Sequence, residues 1–417
     1  MTNIPKIYTF DNGLQILSLQ DDNIQSVSIY FYIKVGSKDE SPHLNGISHF
    51  IEHMVWKSTP NFKNPLAITR YLDTLGTSYN AFVNKYLTAY HYKFPSNLES
   101  LDKICSINKE MLFESKFKDK DIKIERNVIL EELKSGINDH DRYFDDQLEK
   151  KIFKDHPLGL EIGGDINTVK KIKKEDLINF YKEKYKSSNM FIAIVGKLPT
   201  GYLKAIKKYF VPPSSKKIVN PIKQINIRPF QLELNSDNIK ITSALEKVPQ
   251  KHLAICVFTP GLYGNKRLHH KLISSILSGS MASRLFIKMR DVLGLVYQIN
   301  ADTVNYHEIG YFIIQSKMKP QNIKLAIKAI NEEINIIKKN GFTEKELKIT
   351  KKHTISNLIM NMEDSEFKTE FYAEQLFNYS KIKTLNQYKN EINKNSLPEI
   401  NKEFKNLFSK TIYTFYT

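Results

Sequence analysis

Hydrophobic and polar residues alternate from the first residues of the chain. The alternation from Lys6 to Gln20 is interrupted by the turn sequence Asp11-Asn12-Gly13, and two alternating runs around such a turn are typical of a β-hairpin. The chain therefore begins with a predicted hairpin.

The same order of patterns then occurs twice. Strand-like residues 25–35, helical residues 46–76 and strand-like residues 78–94 follow one another in the first half; residues 239–259, 267–293 and 296–315 repeat that order in the second half. Both halves end in mainly helical patterns. The repetition predicts an α+β fold of two homologous domains, each with a largely antiparallel sheet covered on one face by helices.

The length of the chain agrees with two domains. A chain of 417 residues exceeds what one hydrophobic core usually supports. A polar segment opening at Val211-Pro212-Pro213-Ser214-Ser215 and running to about Arg228 separates the halves. We predict domains at 1–212 and 229–417, joined by a linker at 213–228.

Composition excludes several classes of protein. The net charge is +17, but only 7 of the 62 basic residues are arginine, and no basic stripe is interleaved with aromatic residues. We therefore expect no nucleic-acid partner. Cys105 and Cys256 are the only cysteines, one in each half, so a disulfide framework is not expected and both are predicted to be buried thiols.

The sequence carries no predicted membrane or export segment. No apolar run approaches the length of a membrane span, and residues 1–5 are too short for a signal or transit peptide. We therefore expect a cytoplasmic protein without a membrane partner.

The candidate metal-binding and catalytic residues lie in the segment His49-Phe50-Ile51-Glu52-His53, inside an apolar stretch with a helical pattern. On a helix His49 and His53 lie one turn apart, so both imidazoles can bind one metal ion, and Glu52 lies on the adjoining edge. The His-x-x-Glu-His order is that of the inverzincins, in which the metal is zinc. The alternative is two ordinary histidines beside a solvated glutamate.

A catalytic zinc site needs a third protein ligand. Residues 118–137 form a predicted amphipathic helix, on which Glu132 and Glu125 share the apolar side with Val128 and Ile129. Lone carboxylates are costly there, and a cation would remove that cost. Periodicity favours Glu132 over Glu131 only slightly, so both remain candidates at this point.

Four ordered segments carry a family resemblance: His49 to Thr59; Glu125 to Glu132; Pro157-Leu158-Gly159 with Ile162-Gly163-Gly164; and Gly279 to Tyr297. They resemble the pitrilysin/insulinase family of zinc metallopeptidases, and in length the chain is closest to its bacterial and mitochondrial processing-peptidase branch. The resemblance covers most of the chain and implies a pitrilysin-like fold.

The resemblance also implies residue roles. The third zinc ligand of the family matches Glu132, and its additional helix glutamate matches Glu125. An arginine and a tyrosine that contact the scissile region of the peptide match Arg290 and Tyr297 in the second half. A guanidinium and a phenol are donors suited to a carbonyl oxygen that gains negative charge.

The sequence departs from the family pattern at several positions. Asn80 and Ala81 remain on the strand beside the active site, where substrate is expected to bind, but Val83 and Tyr86 replace the following Thr and Glu of that pattern. Arg142 stands where a further helix glutamate is common, and a Phe and a Gly near the zinc helix are replaced by Trp56 and Ser58. These changes bear on substrate preference and efficiency, and they spare the ligands.

The sequence thus predicts a zinc-dependent endopeptidase with one Zn²⁺ per chain, Glu52 as general base, and peptides or unfolded segments as substrate inside a closed chamber. A homodimer is expected, because larger family members carry four such domains in one chain. The alternatives are a non-catalytic structural or regulatory subunit of the same fold and a dedicated precursor-processing peptidase.

Overall fold

The computed structural model describes residues 4–211, 230, 234, 236–242, 250–379 and 381–417. These residues fold into two compact units, each built around one sheet. The predicted linker, residues 213–228, lies outside the described residues. The predicted domain limits stay a prediction.

The first unit contains six strands and most of the helices of the first half. Its elements are β1 (Lys6–Thr9), β2 (Gln15–Gln20), β3 (Ser26–Ile33), α1 (Ile47–Met54), α2 (Pro65–Asp73), β4 (Ser78–Val83), β5 (Thr88–Pro95), α3 (Leu98–Glu114), α4 (Asp119–Asn138), α6 (Ile166–Lys171), α7 (Lys174–Lys184), β6 (Met190–Gly196), α8 (Tyr202–Phe210) and, from the second half, α13 (Ser365–Asn378).

The second unit contains five strands. Its elements are α5 (His140–Phe153), taken from the first half, β7 (Asn238–Lys240), β8 (Lys251–Pro260), α9 (Arg267–Ser278), α10 (Arg284–Phe286), a π-helix (Ile287–Val292), β9 (Val296–Asn305), β10 (Ile309–Met318), α11 (Ile323–Asn340), α12 (Glu344–Asn361), α14 (Leu385–Lys394), α15 (Leu397–Leu407) and β11 (Tyr413–Tyr416).

The strand order of the first sheet is β1-β2-β6-β3-β5-β4. All neighbouring pairs are antiparallel except β2 and β6. The strand β6 pairs with both β2 and β3, although some 160 residues of chain separate it from them. The predicted hairpin is confirmed as β1 and β2, and the strand-like residues 25–35 and 78–94 are confirmed as β3, β4 and β5. The strand β6 was not predicted, because it lies in a region predicted as mainly helical.

Helices pack on one face of this sheet through alternate residues of β3. Ile29, Phe31 and Ile33 join a core with Phe50 of α1 and Leu101 of α3. This face positions α1, the helix that carries the His-x-x-Glu-His motif, against the sheet. The burial of large apolar side chains is the main stabilising contribution here.

The opposite face of the same sheet is also covered. Tyr30 and Tyr32 pack with Tyr372 and Ala373 of α13, and the Tyr30 hydroxyl donates a 2.8 Å hydrogen bond to Glu370. The expectation that helices cover only one face is therefore wrong. The reason is that residues Val27 to Ile33 of β3 are buried on both faces of the sheet, so both faces must be covered by other elements.

The second sheet has the order β7-β11-β8-β10-β9 within the described residues. Ile255 and Val257 of β8 face a core with Ile273 of α9 and Phe404 of α15. On its other face α5 packs through Phe144, whose ring stacks on His252 at 4.8 Å. Each unit thus holds one helix that comes from the other half of the chain, which no periodicity in the sequence indicates.

The structure can also be compared with the predictions for the two cysteines and for membrane-spanning helices. Cys105 and Cys256 are both free and buried, as predicted, and burial raises the pKa of both thiols. Among the described helices, none has both the length and the apolar character needed to cross a membrane.

Candidate metal centre

The buried carboxylate of Glu40 anchors the start of helix α1. Its first residues follow Gly46, whose φ is +95°, and the buried Glu40 carboxylate accepts the backbone N–H of Gly46 at 2.7 Å and of Ser48 at 2.8 Å. Two N–H groups at the start of the helix are satisfied by one side chain. Burial raises the pKa of Glu40 to about 7, although these bonds and one from Asn45 oppose the rise.

Two glycines allow the chain to pass close to this anchor. A Cβ on Gly164 would lie 2.4 Å from the Asn45 carbonyl oxygen, and one on Gly46 would lie 2.6 Å from the Gly163 carbonyl oxygen. Gly164 also has a φ of +78°. The Ile162-Gly163-Gly164 segment singled out in the sequence is therefore the segment that packs against the start of α1.

Three side chains converge where the sequence predicted a metal. His49 and His53 lie on α1 with ring centroids 4.7 Å apart, and Glu132 approaches from α4. Glu132 Oε2 lies 3.8 Å from His49 Nε2 and 3.6 Å from His53 Nε2. This is the one group of three potential metal-ligating side chains found in the described part of the chain.

The three residues fit a zinc ion. Ligand atoms at about 2.05 Å from a tetrahedral zinc lie about 3.3 Å from one another, and the two distances from Glu132 Oε2 to the imidazole nitrogens exceed that spacing by a few tenths of an ångström. Two imidazoles and one carboxylate are also the donor set of a catalytic zinc site with one position left for water.

Glu131 and Glu132 point in different directions. The Glu131 side chain is 71% exposed and pairs with Lys134 at 2.6 Å, whereas Glu132 is 43% exposed and faces the imidazoles. The structure thus brings Glu132, and not Glu131, to the histidines. Glu132 lies at the edge of the buried face of α4 rather than in its centre, and Val128, expected on the apolar side, is exposed.

Behind the histidines lies an ion pair. Glu125 Oε2 is 3.0 Å from His53 Nδ1, and Lys57 Nζ is 2.6 Å from Glu125 Oε1. Burial raises the pKa of the Glu125 carboxyl, but the bonds from His53 and Lys57 outweigh it, so its pKa lies below the ordinary value. The cost of burying this carboxylate is offset by His53 and by Lys57, and Lys57 was not predicted from the sequence.

The position of Lys57 in the sequence could have indicated this role. It stands four residues after His53, so the two side chains lie on the same side of the chain at the end of α1. Glu125 was predicted on the apolar side of its own helix, where a carboxylate needs a cation as partner, and Lys57 is such a cation.

Glu52 is nearly buried beside the ligands. Its side chain is 13% exposed, and Oε2 lies 3.8 Å from His53 Nε2. Burial raises the pKa of the Glu52 carboxyl above its ordinary value; the neighbouring Glu132 adds to the rise, while His53 and Trp56 oppose it. A carboxylate with a raised pKa is a better proton acceptor, as a general base requires.

Asn80 and Ala81 lie on β4, at the end of the strand order of the first sheet. Within the described residues β4 pairs with β5 alone, with Asn80 opposite His91 and Ala81 opposite Tyr90. The free side of such a strand carries backbone groups that an added strand can pair with. The role of both residues in binding stays a prediction.

Arg290 and Tyr297 meet in the second unit. Arg290 lies within the π-helix, and its guanidinium is 5.0 Å from the centre of the Tyr297 ring and 4.8 Å from that of Phe286. Tyr297 is 78% exposed at the start of β9. The structure therefore brings the predicted pair together, while its role towards substrate stays a prediction.

Arg142 belongs to α5 and so to the second unit. Its Nε lies 3.8 Å from Asp146 of the same helix, and both side chains are largely exposed.

Two protein-family models match consecutive parts of this chain. The family model described as Insulinase (Peptidase family M16) matches residues 15–166, and the model described as Peptidase M16 inactive domain matches residues 171–353. Together they span most of the chain. The chain belongs to the pitrilysin/insulinase family of zinc metallopeptidases. The first match contains the histidines and Glu132, and the second contains Arg290 and Tyr297.

Relatives and solved structures cover nearly the whole chain. Uncharacterized zinc protease YmxG from Bacillus subtilis is 29% identical over 407 residues, covering 97% of this chain and 96% of the relative. A protease from Helicobacter pylori has a TM-score of 0.84 at 21% identity, covering 100% and 99% of the two chains. A structure titled peptidase M16 inactive domain from Pseudomonas fluorescens has a TM-score of 0.87 at 15% identity, covering 99% and 97%. The structural likenesses show the two-unit α+β fold, and the zinc proteases among the relatives indicate a peptidase.

Proposed function

We propose that this protein is a zinc-dependent endopeptidase that cleaves peptides or unfolded protein segments. The observation that carries the proposal is the convergence of His49, His53 and Glu132 from two helices, with the nearly buried Glu52 beside them. An intact ligand set next to an intact base supports an enzyme over a non-catalytic subunit of the same fold.

His49, His53 and Glu132 would hold the ion. Zinc at that position supplies a Lewis acid that lowers the pKa of a coordinated water to about 7 and polarises a carbonyl. Glu52 accepts the proton of the attacking water and donates it to the leaving amine. Glu125 and Lys57 keep the His53 ring oriented, because its Nδ1 is bonded to Glu125 and its Nε2 would be left to bind the ion.

Substrate would bind as an added strand along β4. The proposal is supported by the place of β4 at the end of the strand order and by the packing of α1 beside it. Main-chain hydrogen bonds give affinity for extended peptides with little demand on their sequence. Asn80 and Ala81 would lie along the bound segment.

Arg290 and Tyr297 would donate to the carbonyl oxygen of the scissile bond. Their direct contact and the exposure of Tyr297 support a joint role. We propose a homodimer in which each second unit completes the partner's zinc site within a closed chamber. Two copies then supply the four domains that larger family members carry in one chain.

Digestion of a mixed peptide library, with and without a chelator and read by mass spectrometry, tests the proposal. Chelator-sensitive cleavage at many sites is expected for a general endopeptidase, whereas a single cleaved motif would indicate a dedicated processing enzyme. No cleavage by zinc-loaded protein would favour the non-catalytic subunit.

A further inference from the structure

A charged side chain lies on the buried side of α4, the helix that carries Glu132. Arg126 follows the buried Ile122 by four residues and precedes the buried Leu133 by seven, so it shares their side of the helix. A guanidinium is costly on such a side unless its N–H groups are bonded. The partners of Arg126 therefore show why a cation stands at this position.

Arg126 binds the end of helix α6 through two main-chain carbonyl groups. Its Nη2 donates to the Ile172 carbonyl oxygen at 2.7 Å, and its Nη1 donates to the Val169 carbonyl oxygen. Val169 lies in α6, and Ile172 is the C-cap residue of that helix. Carbonyl groups at this end of a helix have no partner inside the helix, so the guanidinium satisfies two of them.

The same guanidinium lies over the ring of Phe50, with its central carbon 5.3 Å from the ring centre. Phe50 is fully buried in α1 and directly follows the proposed ligand His49. A planar guanidinium can stack on an aromatic face and donate hydrogen bonds in its own plane at the same time. Arg126 of α4 thus contacts both α1 and α6.

Helix α6 is in turn fixed to the start of α1. Thr168 Oγ1 donates to the Asn45 carbonyl oxygen at 2.8 Å, and Gly164, which precedes α6, packs closely against the same residue. Helix α6 therefore connects the start of the helix that carries the histidines with the helix that carries Glu132. The second half of that connection is Arg126.

We propose that Arg126 is a positioning residue that holds α4 at the separation from α1 at which Glu132 meets both histidines. This inference rests on the metal site of the proposed function. Glu132 stands six residues after Arg126, about 9 Å along a helix, so a displacement of α4 at Arg126 also displaces the Glu132 carboxylate. Zinc ligands tolerate deviations of only about 0.2 Å from their usual distances, so a small displacement weakens the site.

Zinc titration of two lysine variants against a competing chelator tests the role. Arg126→Lys keeps the charge, but an ammonium has no planar fork that holds two carbonyl groups while stacking on Phe50. We expect its zinc affinity to fall about tenfold. Arg284→Lys is the matched control, because Arg284 is also half-buried over a ring, 5.8 Å from the centre of Phe342, but lies in the second unit. Wild-type affinity in Arg126→Lys, or equal losses in both variants, would overturn the proposal.

A double-mutant cycle with Glu132→Gln distinguishes positioning of this ligand from a general loss of stability. In the Glu132→Gln background α4 no longer supplies the metal-binding carboxylate. Adding Arg126→Lys to that background should therefore lower zinc affinity by less than about threefold. A tenfold loss there as well would show that Arg126 acts on the fold or on the histidines, and it would overturn the proposal.

A peptide assay beside these titrations separates this inference from the proposed function. A wild type that binds zinc and hydrolyses peptide, with equal zinc affinity in Arg126→Lys, rejects the role of Arg126 alone. A wild type that binds zinc but hydrolyses no peptide, with the tenfold loss in Arg126→Lys, rejects the peptidase and supports the positioning role.

Discussion

Glu125 Oε2 lies 3.0 Å from Nδ1 of His53. This contact fixes which nitrogen of the imidazole is free, because Nδ1 must donate to the carboxylate and Nε2 then faces Glu132 and the metal position. Lys57 holds the other oxygen of the same carboxylate at 2.6 Å. The predicted ligand His53 thus depends on two residues that do not touch the metal.

The first prediction concerns Lys57. Lys57→Met should lower zinc affinity about 10- to 100-fold, because Glu125 loses the cation that keeps its buried carboxylate ionised and oriented. Zinc titration against a competing chelator measures this. Lys134→Met, which removes the exposed partner of Glu131, is the control and should bind zinc as the wild type does. Equal affinity in both variants would contradict the role of Lys57.

The second prediction concerns the proposed base. Glu52→Gln should keep about one zinc per chain and lose hydrolysis by roughly 100- to 10,000-fold, because the amide cannot accept the proton. Metal analysis measures the zinc content of the variant, and a peptide assay measures its rate of hydrolysis. A variant that cleaves peptide at the wild-type rate would remove Glu52 from the mechanism.

The third prediction compares the neighbouring glutamates. Glu132→Gln should weaken zinc binding far more than Glu131→Gln, because Glu132 faces both imidazoles while Glu131 pairs with Lys134 at the surface. The two variants differ by one position and carry the same chemical change, so each controls the other. Metal loss in the Glu131 variant alone would show that α4 is rotated from the orientation seen here.

The fourth prediction concerns pH and the Glu40 anchor. Burial raises the pKa of Glu40 from 4.5 to about 7, so its contribution to stability is complete at low pH and is lost as the pH rises through about 7. Relative to Glu40→Gln, which does not titrate, the wild type should lose roughly 3 kcal/mol of stability between pH 4.5 and pH 8.

Urea unfolding followed by Trp56 fluorescence measures this difference in the first unit, since the chain has no other tryptophan. Glu131→Gln serves as the control and should keep the wild-type pH profile. A constant difference between wild type and Glu40→Gln across this range would contradict a raised pKa at Glu40.

The fifth prediction tests the shared site. Homodimers of Glu52→Gln and of Tyr297→Phe should each be nearly inactive, yet a mixture after subunit exchange should regain activity. One site of the heterodimer then combines an intact Glu52 with an intact Tyr297 from the partner. If Arg290 and Tyr297 acted within their own chain, each active site of the heterodimer would lack either Glu52 or Tyr297. No recovery, with heterodimers confirmed by differential tags, would reject the shared-site proposal.

Some features of this protein follow from the sequence by itself. The spacing of His49, Glu52 and His53 places them on one side of a short helix, because helical geometry is local. The hairpin, the strands β3, β4 and β5 and the long helix α4 follow from local periodicity in the same way. The family resemblance is carried by short ordered motifs, and the family models that match the chain confirm it.

Only the tertiary structure decided what depends on distant residues. Periodicity did not decide whether Glu131 or Glu132 faces the histidines, because both lie near the border of the apolar face of α4. The structure places Glu132 beside two histidines that lie some 80 residues earlier in the chain. Packing across the sheet also set the place of β6, the exchange of α5 and α13 between units, and the pairing of Lys57 with Glu125. Local pattern encodes which face of an element is apolar, but the partner that covers that face or balances a buried charge is fixed by the chain as a whole.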